Sequence, residues 1–209
     1  MNSKTIFFID DHPLLVEALK FLISTGSKSL TILGSSSTPD EAIIECIQRG
    51  PDIIVCDYIM PEMNGIEFFK KIKLTRPETK FILLTQIESQ FILHKAWALG
   101  VDAIISKSSA QIEIEMAIDT VLNGQRFLNE KLKSIIFKDG PLNLLTPREL
   151  EVIPLVAKGN SNKEIGAILN CSDQTIKSHK ASILKKLNLS NSVDIAVWCI
   201  ENQLFEPLE

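Results

Sequence analysis

In the first part of the chain, short runs of β-branched and aromatic residues alternate with longer stretches whose apolar positions recur at helical spacing. Strands are expected at Thr5 to Ile9, Leu30 to Gly34, Ile53 to Cys56, Phe81 to Thr85 and Ala103 to Ser106. Several are apolar throughout, as strands buried on both faces must be. Between them, Leu15, Leu19 and Leu22 mark a first helix, Ile43 and Ile47 a second, and Ile66, Phe68, Phe69 and Ile72 a third. Ile112 to Leu122 makes a fifth. Thr38-Pro39-Asp40-Glu41 has the composition of a capped helix start, with a hydroxyl, a proline at the first turn and a returning carboxylate. The pattern predicts an α/β unit, a doubly wound five-stranded parallel sheet of the flavodoxin-like kind.

Asn123-Gly124 stops the helical period, and Lys138-Asp139-Gly140-Pro141 is turn-forming. Downstream no strand pattern survives. Helices are expected over Thr146 to Ala157, Ser161 to Leu169, Ser172 to Leu187 and Asn191 to Gln203, with capping boxes at Thr146-x-x-Glu149 and Ser161-x-x-Glu164. The chain therefore divides into an α/β domain over 1–123, a linker over 124–141 and an all-α four-helix domain over 142–209. Pro154 falls inside the first of these helices, where it removes an amide bond to Leu150 and predicts a kink.

Net charge is −4, which by itself argues against a nucleic-acid partner. The distribution changes that conclusion: between Lys158 and Leu187, six lysines face only Glu164 and Asp173. Cys46, Cys56, Cys171 and Cys199 lack metal-site spacing and read as small buried hydrophobes. No apolar run approaches the ~18 residues that cross a bilayer, and no signal-peptide pattern is seen, so a cytoplasmic location without membrane association is expected.

Ligands of open α/β sheets collect beyond the carboxyl ends of the strands. Asp10 and Asp11 end the first strand and Asp57 the third; Thr85 ends the fourth and Lys107 follows the fifth. Carboxylates gathered within roughly 4 Å repel by about 4 kcal/mol per pair at an effective dielectric of ~20. A hard cation such as Mg2+ relieves this, and a hydroxyl and an ammonium on the same rim suit a phosphoryl group. His12, a lone histidine at a helix start, reads as a capping or surface residue.

Asp10-Asp11, Asp57-Tyr58-Ile59-Met60-Pro61-Glu62-Met63-Asn64-Gly65, Thr85 and Lys107 resemble the receiver domain of two-component response regulators over residues 4–122. The resemblance implies that Asp57 accepts a phosphoryl group from a sensor histidine kinase. Mg2+ would be held by Asp11, Asp57 and the Ile59 carbonyl, with Asp10 acting through water. Lys107 and Thr85 would contact the phosphoryl oxygens. Two positions depart from the family pattern. Ile104 stands where a switch aromatic is usual, and Gln86 stands where a small residue is usual.

The turn Asn170-Cys171-Ser172 between two helices, with the lysine excess, fits a helix-turn-helix whose second helix enters the major groove. Helical spacing puts Ile176, Ile183, Leu184 and Leu187 inward, with Lys180 snorkelling outward. Gln174, Ser178, Ala181 and Lys185 lie outward, with Lys177 at the border. Leu145-Thr146-Pro147-Arg148-Glu149-Leu150-Glu151-Val152, Lys158-Gly159-Asn160-Ser161-Asn162-Lys163-Glu164-Ile165 and Thr175-Ile176-Lys177-Ser178-His179 resemble the LuxR-type DNA-binding domain over 142–205. That family implies base contacts near Lys177 and Ser178 and backbone contacts from Thr175, His179 and Lys163.

Together the two resemblances point to a NarL/FixJ-type regulator that binds double-stranded DNA as a homodimer, with RNA polymerase as a candidate further partner. It is expected not to be an enzyme beyond weak autophosphorylation and autodephosphorylation at Asp57. The departures at Ile104 and Gln86 keep open a regulator controlled by dimerisation or a partner protein without phosphorylation. An aspartyl phosphatase is the remote alternative, disfavoured because Asp10-Asp11-His12 stands where such enzymes carry D-x-D. A protein-interaction scaffold would leave the basic helix unused.

Overall fold

Strands buried on both faces need helices above and below the sheet, and the intervening segments supply them. The computed structural model describes residues 3–26, 30–202 and 204. It contains β1 (Lys4–Ile9), β2 (Leu30–Ser36), β3 (Ile53–Asp57), β4 (Lys80–Thr85), β5 (Ala103–Ser106) and β6 (Phe127–Leu128), paired in parallel in the order β2-β1-β3-β4-β5-β6. The sheet thus has six strands where five were expected. Phe127–Leu128 is too short to show a strand period, and it joins the edge through pairing with Ala103 and Ile104.

Alternate strand residues take opposite faces. On one face Ile6, Phe8, Val55, Ile82, Leu84 and Ile105 pack under α1 (Pro13–Thr25) and α5 (Ala110–Leu122), through Val16, Leu19, Ile23, Ile114 and Ile118. On the other face lie α2 (Pro39–Arg49) and α3 (Gly65–Thr75), with the Phe69 and Phe81 rings edge to face at 5.1 Å. α2 begins after Thr38 as expected, but the Thr38 hydroxyl makes no cap. The Thr38 amide, which a returning Glu41 carboxylate would serve in a capping box, donates to the Ser36 hydroxyl at 3.1 Å. The order reverses between β1 and β3, so their carboxyl ends flank the switch point where ligands of such sheets sit.

The chain resolves into two compact units, 1–88 with 100–133 and 89–99 with 134–209. α4 (Gln90–Ala98) groups with the second, in which it packs on α7 (Pro147–Ala157); the Trp97 ring stands edge-on to Phe137, and Gln90 donates to the Lys138 carbonyl at 2.9 Å. The segment 124–141 holds β6, α6 (Glu130–Ile136) and the start of a 3-10 turn at Pro141–Leu144.

The second unit continues with α8 (Asn162–Ile168), α9 (Asp173–Leu187) and α10 (Ser192–Glu201). The end of the last helix expected at Gln203 lies outside the described residues. Capping boxes form at Thr146/Glu149 and Ser161/Glu164, as the sequence predicts. α7 runs through Pro154 without losing its helical assignment. Gly166 lies where a Cβ would meet the Cys171 carbonyl at 2.7 Å, so its lack of a side chain lets the turn between α8 and α9 close tightly. Glu149 does more than cap. Almost fully buried, it accepts from Lys186 at 2.6 Å and from the Ser182 hydroxyl at 2.6 Å, and so ties α7 to α9. Cys46, Cys56 and Cys199 are buried as expected, and Cys171 is half-buried. Burial pushes the Cys46 thiol up to about 12 and Cys199 to about 11, so neither is a nucleophile at neutral pH.

Candidate acidic site and nucleic-acid interface

Each acidic side chain of the site is delivered by a strand end. Asp10 leaves β1 with its amide bonded to the Ser36 carbonyl of β2 at 3.2 Å. Asp57 closes β3, almost fully buried at 2% exposure. The turn after it is held by the Gly65 amide, which donates to the Tyr58 carbonyl at 2.8 Å, and by Asn64, whose side chain caps α3 through the amides of Ile66 and Glu67. A Cβ on Gly65 would lie 2.4 Å from the Asp57 carbonyl oxygen and 2.7 Å from Leu83. Gly65→Ala is therefore expected to push the Asp57–Tyr58 backbone out of register and cost about 1–3 kcal/mol. Urea unfolding of both proteins measures this; equal midpoints would contradict it.

Lys107 reaches into the cluster from the end of β5, its backbone pinned by donation to the Thr85 carbonyl at 2.8 Å. Its ammonium lies 2.7 Å from Asp57 Oδ2, 2.9 Å from Asp10 Oδ2 and 3.2 Å from His12 Nδ1, with the side chain only 6% exposed. Burial pushes the Asp57 carboxyl up to about 6, against the opposing pull of Lys107 and the Ile59 amide and with a smaller push from Asp10. Asp11 is more open, and His12 Nδ1 bridges it to Asp10 at 2.8 and 2.9 Å. Thr85 is buried, and its hydroxyl accepts from the Ile87 amide at 2.9 Å. Ile104 is fully buried and Gln86 is exposed.

The structure thus brings Asp10, Asp11, Asp57 and Lys107 together, with Thr85 on the neighbouring strand end. It also adds His12, expected as a capping or surface residue, which is exposed and borders the acids. His12 does occupy the N-cap of α1, but its side chain makes no cap bond and turns to the acids instead. The signal available in the sequence was its adjacency to Asp10-Asp11 at the end of a strand.

Donor chemistry fits a hard divalent cation. Ligand atoms of Asp10, Asp11, His12 and Asp57 all lie within 4.8 Å of one another, and three carboxylates outnumber the one buried ammonium. A dication among them would be held by oxygens of the kind Mg2+ prefers.

In the second unit α9 shows the face pattern its spacing predicts. Ile176 and Ile183 are fully buried, and Leu184 and Leu187 are half-buried. Gln174, Thr175, Lys177, Ser178, Ala181 and Lys185 are exposed, and His179 is half-buried. Ser172 caps the helix by accepting from the Thr175 amide. Lys163 is exposed on α8, and Lys180 snorkels out to the Asn162 side chain at 3.2 Å. Among the described residues, Lys177 pairs only with the exposed Asp173 at 3.6 Å, a contact that water and salt weaken.

Residues 6–119 match the response regulator receiver domain family, and residues 143–199 match the bacterial regulatory proteins of the luxR family. The response regulator protein VraR of Staphylococcus aureus is 28% identical over 206 residues, covering 96% of this chain and 98% of its own. Among solved structures, the RcsB response regulator of Salmonella typhimurium is similar at a TM-score of 0.65 and 26% identity, over 96% of this chain and 99% of that one. An RcsB–DNA complex is similar at 0.65 and 25%, over 95% and 98%.

Proposed function

The chain belongs to the response regulator receiver family and carries a LuxR-type DNA-binding domain behind the receiver, and on that premise we propose that phosphorylation of Asp57 controls how α9 engages duplex DNA. We assign phosphoryl uptake to residues 1–123 and DNA recognition to 142–209, with 124–141 between them. The observation that carries the reading is the buried pairing of Lys107 with Asp57 at 2.7 Å, beside Asp10 and Asp11.

The Asp57 carboxylate attacks the phosphorus of a phosphohistidine on a sensor kinase, and the imidazole leaves. Asp11, Asp57 and the Ile59 carbonyl would hold Mg2+, with Asp10 acting through water; when bound, the ion supplies positive charge against the phosphoryl oxygens. Lys107 moves from pairing the carboxylate to pairing a phosphoryl oxygen, which keeps its buried ammonium satisfied. The Thr85 hydroxyl exchanges the Ile87 amide for another phosphoryl oxygen. The added charge of roughly −1.5 to −2 biases this rim between two states. Turnover at Asp57 is limited to slow self-phosphorylation by small acyl phosphates and slow hydrolysis.

For the output, Lys177, Ser178 and Gln174 face base edges, while Thr175, His179, Lys163 and Lys185 face the phosphate backbone. A homodimer in the cytoplasm would read two half-sites, and RNA polymerase is a further partner. The buried Ile104 favours a second reading, a regulator whose DNA binding ignores the phosphoryl group, since no aromatic rotamer there can follow Thr85.

Selection of an operator from random duplexes by phosphorylated and unphosphorylated protein tests both halves. Enrichment of one paired sequence, tighter after phosphorylation, is expected. Equal affinity in the two states selects the second reading, and no enrichment in either state defeats both. On the selected duplex, Lys177→Ala is expected to weaken binding by about 1–3 kcal/mol. If binding of that variant is unchanged across a salt titration, Lys177 is not at the interface.

A further inference from the structure

A helix in the major groove tells one base pair from another only through the groups it turns to the base edges, and the donor or acceptor sense of each group decides which pair it accepts. On α9 the outward stripe runs Gln174, Ser178, Ala181, Lys185, all of them exposed. Its two middle residues are small, so no long side chain there holds the helix away from the bases, whereas Gln174 and Lys185 at either end are long. What the middle of the stripe can recognise follows from its chemistry, an inference resting on the reading of α9 given above.

Ser178 has one hydroxyl proton and two lone pairs. Its Oγ donates to the Gln174 carbonyl, one turn back along the helix, at 3.1 Å. With the proton held inside the helix, the hydroxyl turns acceptor capacity to the groove and needs a donor there. On the major-groove edge the donors are the exocyclic amino groups of adenine and cytosine. Ala181 lies three residues further on and therefore on the same face, where its exposed side chain is a methyl group. The apolar group it can meet in the groove is the thymine methyl. Ser178 and Ala181 differ by about 4.5 Å in rise along the helix, little more than one base-pair step of about 3.4 Å, so both can address one pair. A G·C pair offers an amino donor without the methyl, and a T·A pair offers both.

We propose that α9 reads a T·A pair in each half-site, with the Ala181 methyl packed on the thymine methyl and the Ser178 hydroxyl accepting from the adenine amino group. Ala181 is then a specificity-determining residue, and the lysines around it supply affinity without choosing this pair.

The test uses the full chain on the operator enriched from random duplexes. Each half-site is expected to hold a T·A pair at which two small replacements weaken binding by the wild type. Deoxyuridine for thymidine removes only the methyl and should cost about fourfold in affinity. Unsubstituted purine for adenine removes only the amino group and should cost about fivefold. Ala181→Gly should lose the sensitivity to deoxyuridine and keep that to purine, and Ser178→Ala should do the reverse. Each variant is compared with itself on the natural and the replaced duplex, so a general loss of helix or affinity cancels. If the wild type ignores either replacement throughout an enriched operator, or if the variants stay as sensitive as the wild type, the proposal is overturned. Ala181 is then no more than a good helix former at the surface, and DNA binding by α9 stands without it. If no operator is enriched, the reading of α9 falls as well.

Discussion

Asp57→Ala is expected to abolish phosphoryl uptake completely. With Mg2+ and acetyl phosphate, wild-type chain should gain the mass of one phosphoryl group in an intact-mass spectrum, and the variant none. Asp11 is 40% exposed and Asp10 follows β1 2.9 Å from the Lys107 ammonium, whereas Asp57 closes β3 and lies 2.7 Å from that ammonium. Fold loss is not the expected cause. Lys107 keeps Asp10 at 2.9 Å, and removing one of several crowded carboxylates relieves repulsion, so the variant should unfold at or above the wild-type denaturant concentration. A phosphorylated Asp57→Ala chain would place the acceptor elsewhere.

Loss of Lys186 should produce the largest drop in stability, and in the second unit alone. Lys186→Ala leaves the Glu149 carboxylate, 2% exposed, with only the Ser182 hydroxyl and the Thr146 amide. Breaking a buried pair from one side costs about 3–5 kcal/mol. A domain of 60–100 residues then loses roughly 4–8 °C of Tm per kcal/mol. Glu149→Gln combined with Lys186→Met keeps the capping geometry and removes both charges, and should recover much of the loss. If the single and double variants melt alike, the pair is a surface contact in energetic terms.

The same pair sets an acid limit. Burial would raise Glu149, but Lys186, Ser182 and Thr146 overcome it and hold the carboxyl at about 2, below its ordinary 4.5. A lowered carboxyl pKa stabilises the fold above the ordinary value and ceases to do so as pH falls from 4.5 toward 2, an interval worth about 3 kcal/mol. Acid unfolding of wild type should steepen there, and the double variant should show a flatter profile.

Much of this was legible in advance where the signal is local. Apolar runs marked the five longer strands, and the periodicity of α9 separated Ile176 and Ile183 from Lys177 and Ser178. The carboxylates converged as their strand-end positions required, but the closing of Lys107 on Asp57, fifty residues apart, was carried by the family resemblance rather than by spacing. Three features had no local signal. β6 is too short for a period, α4 is apolar around most of its circumference, and the Glu149–Lys186 bond hides behind a capping box that explains the glutamate equally well. Thr38 is the converse case, a good local signal only partly realised: Ser36 takes the amide that a returning Glu41 carboxylate would serve, and the Thr38 hydroxyl makes no cap.

The grouping of α4 with the second unit bears on any attempt to graft this effector onto a foreign receiver. The peptide passes from one body to the other at three seams, after residues 88, 99 and 133, so no single splice point separates them. A chimera joined only in the segment before Pro141 would bring a stranger's helix to α7, without Trp97 to meet Phe137 or Gln90 to meet the Lys138 carbonyl. Transplanting residues 89–99 along with the tail would carry the native partner of α7 into the hybrid.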